Sequence, residues 1–218
     1  MLFDLVGLSE SVRPASEERI GVFGGAFDPP HQAHVALARA AIQQFQLYTL
    51  HVIPTGQAWH KARALSAAEH RLAMTKLAFQ DEAKVVIDER ELQRTGPTFT
   101  IDTLEALQAQ NPQARLYLFM GADQFSAFQQ WHRWQDILQL AIICIAARAH
   151  SAWATGQFDA YPGRGSRFAV LEMPPLPVSA TQIRQRIASR AVTPDELAQL
   201  VSRPVARYIS LHRLYGAP

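Results

Sequence analysis

Short apolar segments alternate with longer helical segments along most of this chain, and this alternation limits the possible folds more than any other feature. The strand candidates are residues 20–23, 49–53, 84–87, 115–120, 141–146 and 168–171. The helix candidates are residues 31–46, 67–80, 100–110, 135–140, 180–189 and 205–212. Apolar strands separated by helices are typical of a parallel sheet that is buried on both faces. The sequence therefore predicts an α/β fold, a doubly wound parallel sheet with helices on both faces and a ligand site beyond the carboxyl ends of its strands.

A single domain fits the length of 218 residues. We expect this domain to span residues 19–218, and residues 1–18, which mix apolar positions with Ser, Pro and Glu, to form a loosely held extension. The formal net charge is only +2, so the chain lacks the strongly basic surface of a protein that coats nucleic acid. Any anionic ligand must therefore be bound by local hydrogen-bond donors. The sequence indicates no particular oligomeric state.

A single cysteine and the lack of a long apolar run exclude further classes of protein. Cys144 cannot form an internal disulfide, and its apolar surroundings favour an inert core thiol over a nucleophile. No apolar run is long enough to span a bilayer. Asp4 stands where a secretory signal would carry basic residues. We therefore expect a cytoplasmic protein that does not interact with membranes.

The segment Gly21–His34 carries the strongest functional signal. An apolar strand candidate ends close to Gly24 and Gly25, the chain turns through an Asp-Pro-Pro sequence, and a helix candidate begins at His31. Glycines allow a ligand to approach the backbone, and a helix N-terminus presents unpaired N–H groups and the positive end of its dipole. His31 and His34 are spaced i and i+3, so both imidazoles project beside that N-terminus. The segment therefore predicts a binding site for a polyphosphate.

Several other nucleotide and metal motifs are excluded by spacing. The glycines do not form G-x-G-x-x-G, the second strand candidate is followed by Pro54 rather than by a ribose-binding acid, and no G-x-x-x-x-G-K-[ST] loop occurs. A helical zinc site needs histidines at i and i+4 with a glutamate between them, which His31 and His34 do not provide. Two histidines at this spacing would more often be ordinary polar residues. Their coupling to the glycine turn is what favours a ligand site.

A second helix start, at Ser179, has the same character near the other end of the chain. Ser179 and Gln182 have the spacing of a capping box, which is a sufficient structural reason for both residues. Capping does not explain Thr181 and Arg184, which share one face a turn into the helix. A guanidinium and a hydroxyl both suit phosphate oxygens. We therefore expect two helix N-termini, from opposite ends of the chain, to meet around one triphosphate.

Together the two motifs resemble the paired signature of the nucleotidyltransferase superfamily, G-x-F-D-P-x-H-x-x-H followed late in the chain by S-[SA]-T-x-[IV]-R. Within it, the chain resembles the bacterial nicotinate-nucleotide adenylyltransferase family. Residues 88–103 resemble that family's glutamate, glycine and S/T-[YF]-T-x-x-T run, and residues 119–124 with Trp131 resemble its G-x-D-x segment and downstream tryptophan. The likeness extends over about residues 19–215. One departure is Ala33, where the family usually has glycine.

The resemblance implies a Rossmann-like domain that transfers the adenylyl group of ATP to nicotinate mononucleotide. The products are nicotinate adenine dinucleotide and pyrophosphate, and the reaction is a step of NAD biosynthesis. The attacking phosphate monoester has a second pKa of about 6 and is largely ionised at neutral pH, so no general base or covalent intermediate is needed. The protein must align two anions and neutralise charge on the leaving pyrophosphate. Mg²⁺ that accompanies ATP would share the second task.

The resemblance also implies a role for each candidate residue. The expected catalytic residues are His31, His34 and Arg184, with His34 having the largest effect on the rate. The residues expected to contact ATP are Gly24, Gly25, Ala26, Phe27, Lys61, Gly121, Asp123, Arg148, Ser179 and Thr181. The residues expected to contact nicotinate mononucleotide are Thr98, Thr100 and Trp131, whose indole would stack on the pyridine ring.

Some of these residues also have a plain structural explanation. Lys61 has an equal claim to be a solvated loop residue, and Arg148 could form a surface ion pair. Asp123 could cap the following helix. Trp131 and Trp134 are three residues apart, as a core-facing aromatic pair would be, and for Trp134 core packing is the better interpretation.

Other functions stay open from the sequence alone. A pantetheine-phosphate adenylyltransferase generally has threonine at the position of His31, and a cytidylyltransferase would lack the segment 98–103. An adenylyltransferase that prefers nicotinamide mononucleotide differs only in the few atoms that bind one carboxylate. A non-catalytic nucleotide-binding module is a function of a different class. The presence of both histidines together with Thr181 and Arg184 argues against it.

Overall fold

The computed structural model describes residues 18–56, 65–147, 165–174 and 176–216. They contain a six-stranded sheet of β1 (Arg19–Gly25), β2 (Thr49–Pro54), β3 (Val85–Ile87), β4 (Arg115–Gly121), β5 (Ala141–Ala147) and β6 (Phe168–Glu172). Neighbouring strands follow the order β3-β2-β1-β4-β5-β6. Every neighbouring pair is parallel. All six predicted strands are confirmed, and the strand order reverses between β1 and β4, as in a Rossmann-like sheet.

Helices fill the connections between the strands. They are α1 (Gln32–Gln44), α2 (Ala68–Phe79), α3 (Arg90–Gln93), α4 (Thr100–Gln110), α5 (Ala122–Ser126), α6 (Trp134–Leu140), α7 (Ala180–Ala188), α8 (Pro194–Leu200) and α9 (Arg203–Leu211). The six predicted helices are confirmed. The sequence analysis missed α3 and α5, which are too short to show helical periodicity, and α8, which begins in a capping box between Thr193 and Glu196.

Apolar side chains bury both faces of the sheet in two separate clusters. Val22 and Leu118 belong to the cluster that includes α4 and α6. Their neighbours Phe23 and Phe119 belong to the cluster that includes α1. Consecutive residues of a strand point to opposite faces, so this division shows that β1 and β4 are covered on both sides. The predicted doubly wound arrangement is therefore confirmed.

The C-terminal helices form a third apolar cluster with α2. Ile183 and Ile187 of α7, Leu197 of α8 and Ile209 of α9 pack together with Met74 of α2, and all five are buried. Helix α9 begins two residues earlier than predicted because Ser202 Oγ, at its N-cap, accepts a hydrogen bond from the backbone N–H of Val205. This packing holds α7 on the side of α2, from which it reaches the loop that follows β1.

The edge strand β6 is bound by a side chain from α1. Gln44 Nε2 donates to the carbonyl oxygen of Val170 at 2.7 Å, and Gln44 Oε1 accepts from the backbone N–H of Glu172 at 3.0 Å. One amide thus satisfies both a backbone acceptor and a backbone donor of β6.

Two further expectations concern the remaining sequence features. Cys144 is fully buried in β5 and burial raises the pKa of its thiol, so the predicted inert core cysteine is confirmed. Within the part of the chain that the structure describes, no helix is long and apolar enough to cross a bilayer. The predicted extension lies outside the described residues apart from Glu18.

Candidate active site

The carboxyl ends of β1 and β4, where the strand order reverses, border open space. A Cβ atom built on Gly24 or on Gly121 would meet no atom within 4 Å. Beyond Gly25 the backbone of Phe27 has a left-handed φ of 47°, and the Phe27 ring is buried edge-on against Phe23. The backbone is therefore accessible at Gly24, near the end of β1, whereas Phe27 and the three residues that follow it are buried.

His31 and His34 are brought together at the start of α1. His31 is the N-cap residue, and its ring stacks on the ring of His34 with centroids 3.7 Å apart. The backbone N–H of His31 donates to Nδ1 of His34 at 3.1 Å. A nitrogen that accepts a hydrogen bond carries no proton, so His34 is neutral in this state and Nε2 bears its proton. His34 can thus donate to a ligand through Nε2.

His31 is buried and electrostatically neutral. Only 7% of its surface is exposed, and burial lowers the pKa of its imidazole from 6.5 to about 4. Its Nδ1 atom has no hydrogen-bond partner among the described residues. A buried polar atom without a partner costs stability and is the kind of group that a ligand satisfies.

The start of α7 contacts the loop between β1 and α1. Arg184 Nη1 donates to the backbone carbonyl oxygen of Asp28 at 2.7 Å, and Arg184 Nη2 donates to Thr181 Oγ1 at 3.1 Å. Ser179 is the N-cap of α7, and its Oγ accepts from the backbone N–H of Gln182, which confirms the Ser179 half of the predicted capping box. The two helix starts predicted to meet therefore do meet, and a guanidinium lies between them.

Asp28, a residue that the sequence analysis left without a role, links this loop to two other segments. Its Oδ1 accepts from the hydroxyl of Tyr215 at 2.6 Å, and its Oδ2 accepts from the backbone N–H of Ser66 at 3.2 Å. Asp28 is buried, and the Asp28–Pro29 peptide bond is cis. Tyr215 comes almost at the end of the chain and has no periodic signal that would have revealed it.

Arg71 of α2 is a second residue that the sequence analysis missed. Its guanidinium donates to the carbonyl oxygens of Ala26 at 3.1 Å, Thr55 at 2.8 Å and Ser66 at 3.0 Å. Burial lowers the pKa of Arg71, and the charge of Asp28 opposes this shift. An arginine on the buried side of a helix, one turn before Met74, is the signal that could have identified it.

The carboxyl end of β4 carries Gly121 and Asp123. Gly121 is the N-cap of α5, and Asp123 lies in the first turn of that helix with an exposed side chain. The interpretation of Asp123 as the cap of α5 was therefore wrong. Its position beside the strand-order reversal leaves the carboxylate accessible to a ligand.

The residues predicted to bind the pyridine ring lie around the end of β2 and the start of α4. Thr98 is buried, and its Oγ1 has no hydrogen-bond partner among the described residues. A Cβ on Gly56 would lie 2.8 Å from Thr98 Cγ2 and would overlap the carbonyl oxygen of Glu91. Because Thr55, next to Gly56, accepts from the same guanidinium as Ala26, the loop after β1 and this region are joined through Arg71.

Glu91, which the sequence analysis did not single out, belongs to a buried hydrogen-bond network beside Thr98. Burial raises the pKa of the Glu91 carboxyl, and hydrogen bonds from Thr103 and Thr55 oppose that shift. Thr103 Oγ1 donates to Glu91 Oε1 at 3.0 Å and accepts from Arg94 Nη1 at 2.9 Å. The network supports the backbone of α3 where it contacts Gly56.

Thr100 and Trp131 lie on two segments that contact each other. Thr100 is the first residue of α4, and the ring of its neighbour Phe99 lies 4.4 Å from the ring of His132, next to Trp131. Trp131 and Trp134 both contact the Phe128 ring, at 5.6 Å and 6.1 Å. Core packing of Trp134 is thus confirmed, and half-buried Trp131 shares it.

Lys61 and Arg148 lie outside the described residues. Within the described ranges, no group of three or more histidine, cysteine, aspartate or glutamate side chains could hold a metal ion.

Nearly the whole chain is similar to proteins of a known family. Residues 22–186 match the model of the cytidylyltransferase-like family. A protein of Albidiferax ferrireducens described as a probable nicotinate-nucleotide adenylyltransferase is 54% identical over 198 residues, which are 91% of this chain and 98% of the relative. A protein of Methylibium petroleiphilum with the same description is 36% identical over 206 residues, 93% of this chain and 94% of the relative. The chain belongs to the nicotinate-nucleotide adenylyltransferase family.

Solved structures support the fold of this nicotinate-nucleotide adenylyltransferase family member. Nicotinic acid mononucleotide adenylyltransferase of Plasmodium falciparum, complexed with APC, has a TM-score of 0.74 and 16% identity, covering 93% of this chain and 99% of that chain. The same enzyme complexed with NaAD has a TM-score of 0.73 and 17% identity, with the same coverage. At this identity the likeness establishes the fold alone.

Proposed function

We propose that this protein transfers the adenylyl group of ATP to nicotinate mononucleotide, giving nicotinate adenine dinucleotide and pyrophosphate, as a step of NAD biosynthesis. The observation that carries the proposal is the 2.7 Å hydrogen bond from Arg184 to the Asp28 carbonyl oxygen. It joins α7 to the loop that precedes α1, and the start of α1 carries His31 and His34. Membership of the family, at 54% identity to a named relative, points to the same reaction.

The reaction needs alignment more than it needs a base. An oxygen of the nicotinate mononucleotide phosphate forms a bond to the α-phosphorus of ATP, and the bond from that phosphorus to the bridging oxygen breaks. The electron pair leaves with pyrophosphate. Because the attacking phosphate is already largely ionised at neutral pH, the chain has to hold two anions in line and stabilise charge on the leaving group.

The leaving phosphates would be bound from both helix starts. His34 donates from Nε2, His31 offers its unpartnered Nδ1, and Arg184 supplies a permanent positive charge. The Thr181 oxygen accepts from Arg184, so its own proton is available to a phosphate oxygen. Ser179 likewise uses its oxygen as the helix cap and keeps a proton to donate.

The remaining ATP contacts come from the strand ends. The backbone of Gly24, Gly25, Ala26 and Phe27 would follow the phosphates, because open space lies beside Gly24. Gly121 and Asp123 would meet the adenosine ribose, whose hydroxyls can donate to a carboxylate. Lys61 and Arg148 stay predicted contacts, as a counter-charge for the phosphates and as part of the adenine pocket.

Nicotinate mononucleotide would bind between the end of β2 and the start of α4. Thr98 Oγ1 is buried without a partner among the described residues, which suits the carboxylate of the pyridine ring, and Thr100 is the first residue of α4, whose N-terminus would favour a negative charge. Trp131 would cover the ring. Its packing on Phe128 keeps one part of the indole fixed while the other part stays exposed.

ATP would enter as its magnesium complex. The described residues provide no cluster for a resident metal, and the phosphates of ATP are themselves good ligands for a hard cation. When bound to ATP, Mg²⁺ supplies further neutralisation of the phosphate charge. A cytoplasmic location and an isolated domain over residues 19–218 are likewise part of the proposal.

The direct test measures pyrophosphate release from ATP with nicotinate mononucleotide, nicotinamide mononucleotide or phosphopantetheine as acceptor. We expect release with the first acceptor and a kcat/KM at least tenfold lower with the other two, because the buried Thr98 hydroxyl and the α4 N-terminus favour a carboxylate. Preference for the amide or for phosphopantetheine would contradict the choice of substrate. No release with any acceptor would favour a nucleotide-binding module.

A further inference from the structure

We propose that Tyr215 is a positioning residue of the active site, whose hydroxyl holds the Asp28 carboxylate and through it the loop that carries His31 and His34. The inference rests on the proposed function and extends it to the last residues of the chain. It starts from one contact. The Tyr215 hydroxyl donates to Asp28 Oδ1 at 2.6 Å, across 187 positions of sequence.

The backbone at Tyr215 and Gly216 has positive φ angles, and this conformation accompanies the contact. Tyr215 has a left-handed conformation, with φ 58° and ψ 21°, and Gly216 follows with φ 80°. A left-handed conformation is unfavourable for a tyrosine, and it persists only where the surroundings determine it. Here the ring packs into the third cluster, and the hydroxyl reaches a buried carboxylate. Burial and the charge of Asp28 both raise the pKa of this phenol, so it stays a proton donor at neutral pH.

Asp28 also contacts two other segments of the site, so a change at its carboxylate would affect both. Its other oxygen accepts from the backbone N–H of Ser66, and its own carbonyl oxygen accepts from Arg184. Ser66 is also held by Arg71, which binds Ala26 of the same loop. A buried carboxylate that loses one of its donors must find another or move. A movement of Asp28 would shift the guanidinium of Arg184 and the start of α1 together.

The substitution Tyr215→Phe removes only the hydroxyl, and Tyr208→Phe is its matched control. Tyr208 lies on α9, in the same cluster, and its hydroxyl pairs with Nδ1 of His70 at 3.0 Å, away from the loop after β1. We expect kcat to fall about tenfold or more in Tyr215→Phe, with KM for nicotinate mononucleotide within twofold of the wild type, since one charge-stabilising arrangement is disturbed and the pyridine site is not. Tyr208→Phe should keep the wild-type kcat while both variants show a similar shift in Tm.

A double-mutant cycle with Asp28→Ala tests the route of the effect. If Tyr215 acts through Asp28, the hydroxyl has nothing left to hold in Asp28→Ala, and adding Tyr215→Phe should change kcat by less than twofold. Equal losses in both backgrounds would show that Tyr215 acts independently of Asp28. A wild-type kcat in Tyr215→Phe would also overturn the proposal.

A measurement on the wild-type protein keeps the proposal testable if a variant does not fold. ATP should slow hydrogen exchange at the Ser66 amide and in residues 212–216, because binding at the loop tightens the contacts through Asp28. Unchanged exchange in both segments would contradict the role of Tyr215.

The Kd for ATP, measured for the wild type and for Tyr215→Phe, reports on the same contact without catalysis. If the wild type forms no dinucleotide, the proposed function fails, and a Tyr215→Phe affinity equal to wild type would then overturn the positioning role as well.

Discussion

The two imidazoles at the start of α1 are chemically unequal although they stack on each other. His31 is buried and holds an unpartnered Nδ1, whereas His34 is half-exposed and receives a hydrogen bond from the backbone. The hydrogen bond to Nδ1 therefore places the proton of the His34 ring on Nε2. This makes His34 the better donor to charge that develops during the reaction.

Replacing His34 with alanine should lower kcat by about a hundredfold, because one positioned donor to the transition state is lost. The comparison variant is His70→Ala, since His70 lies on α2 and pairs with Tyr208 outside the site. Steady-state pyrophosphate release measures both, and circular dichroism monitors the fold. Near wild-type turnover in His34→Ala would remove His34 from the role given to it.

The burial of His31 predicts a pH-dependent stability. Its pKa is lowered from 6.5 to about 4, so between these values the unfolded chain binds a proton at His31 and the folded chain does not. The free energy of unfolding therefore falls as the pH drops from 6.5 to about 4. Below pH 4 the loss that is due to His31 reaches about 3 kcal/mol.

His31→Gln removes this titration while keeping a polar side chain of similar reach. Urea unfolding from pH 7.5 to pH 4 should show a shallower loss of stability in the variant, with the difference growing as the pH falls. Parallel stability curves for the wild type and His31→Gln would contradict a depressed pKa.

At the scale of the elements, two glycines near strand ends have different surroundings: one borders open space and the other is packed against protein atoms. Gly24, the last residue but one of β1, lies beside open space, whereas Gly56, just after β2, is in contact with Thr98 and the Glu91 backbone. Gly24→Ala should change the free energy of unfolding by less than about 0.5 kcal/mol, because the methyl group meets no protein atom. It should raise KM for ATP about tenfold or more, since the nucleotide needs that space.

Gly56→Ala is expected to show the opposite pattern. The methyl group would be forced against α3 and Thr98, so we expect a loss of about 1–3 kcal/mol in the free energy of unfolding and a higher KM for nicotinate mononucleotide. Urea unfolding and substrate titrations distinguish the two variants. Equal KM values for ATP in the wild type and Gly24→Ala would show that no ligand approaches β1 there.

The elements themselves were largely predictable, for a physical reason. The strands of a sheet buried on both faces are mostly apolar, and the longer helices between them show their period. Helices such as α3, with four residues, lack that period. The start of α9 was misplaced because Ser202 caps it from outside the apolar pattern.

At the scale of the whole molecule, the candidate site depends on contact between the loop after β1 and helix α7, which are far apart in sequence. The third cluster places α7 against α2, and Arg184 then reaches the loop after β1. Motif spacing predicted this meeting because Thr181 and Arg184 had no other explanation. It could not predict Arg71 or Tyr215, since each acts through backbone carbonyls or a single carboxylate that only the folded chain brings near.

Binding of ATP should therefore stabilise the folded chain through Arg184. At one hundred times its Kd a ligand adds about 2.7 kcal/mol, which for a chain of this size raises Tm by about 5–10 °C. Arg184→Ala should lose most of that rise in thermal scans with ATP and MgCl₂. Arg186→Ala, on the same helix but 3.6 Å from Glu196, should keep it. The same rise in both variants would exclude Arg184 from nucleotide binding.

The side-chain amide of Gln44 covers part of the exposed edge of the sheet at β6. By pairing with the carbonyl oxygen of Val170 and the N–H of Glu172, it occupies two of the hydrogen-bonding groups that another molecule would need in order to add a strand beside β6. Because Gln44 belongs to α1, which begins at the histidines, the packing of α1 on the sheet both positions the imidazoles and disfavours strand addition at this edge.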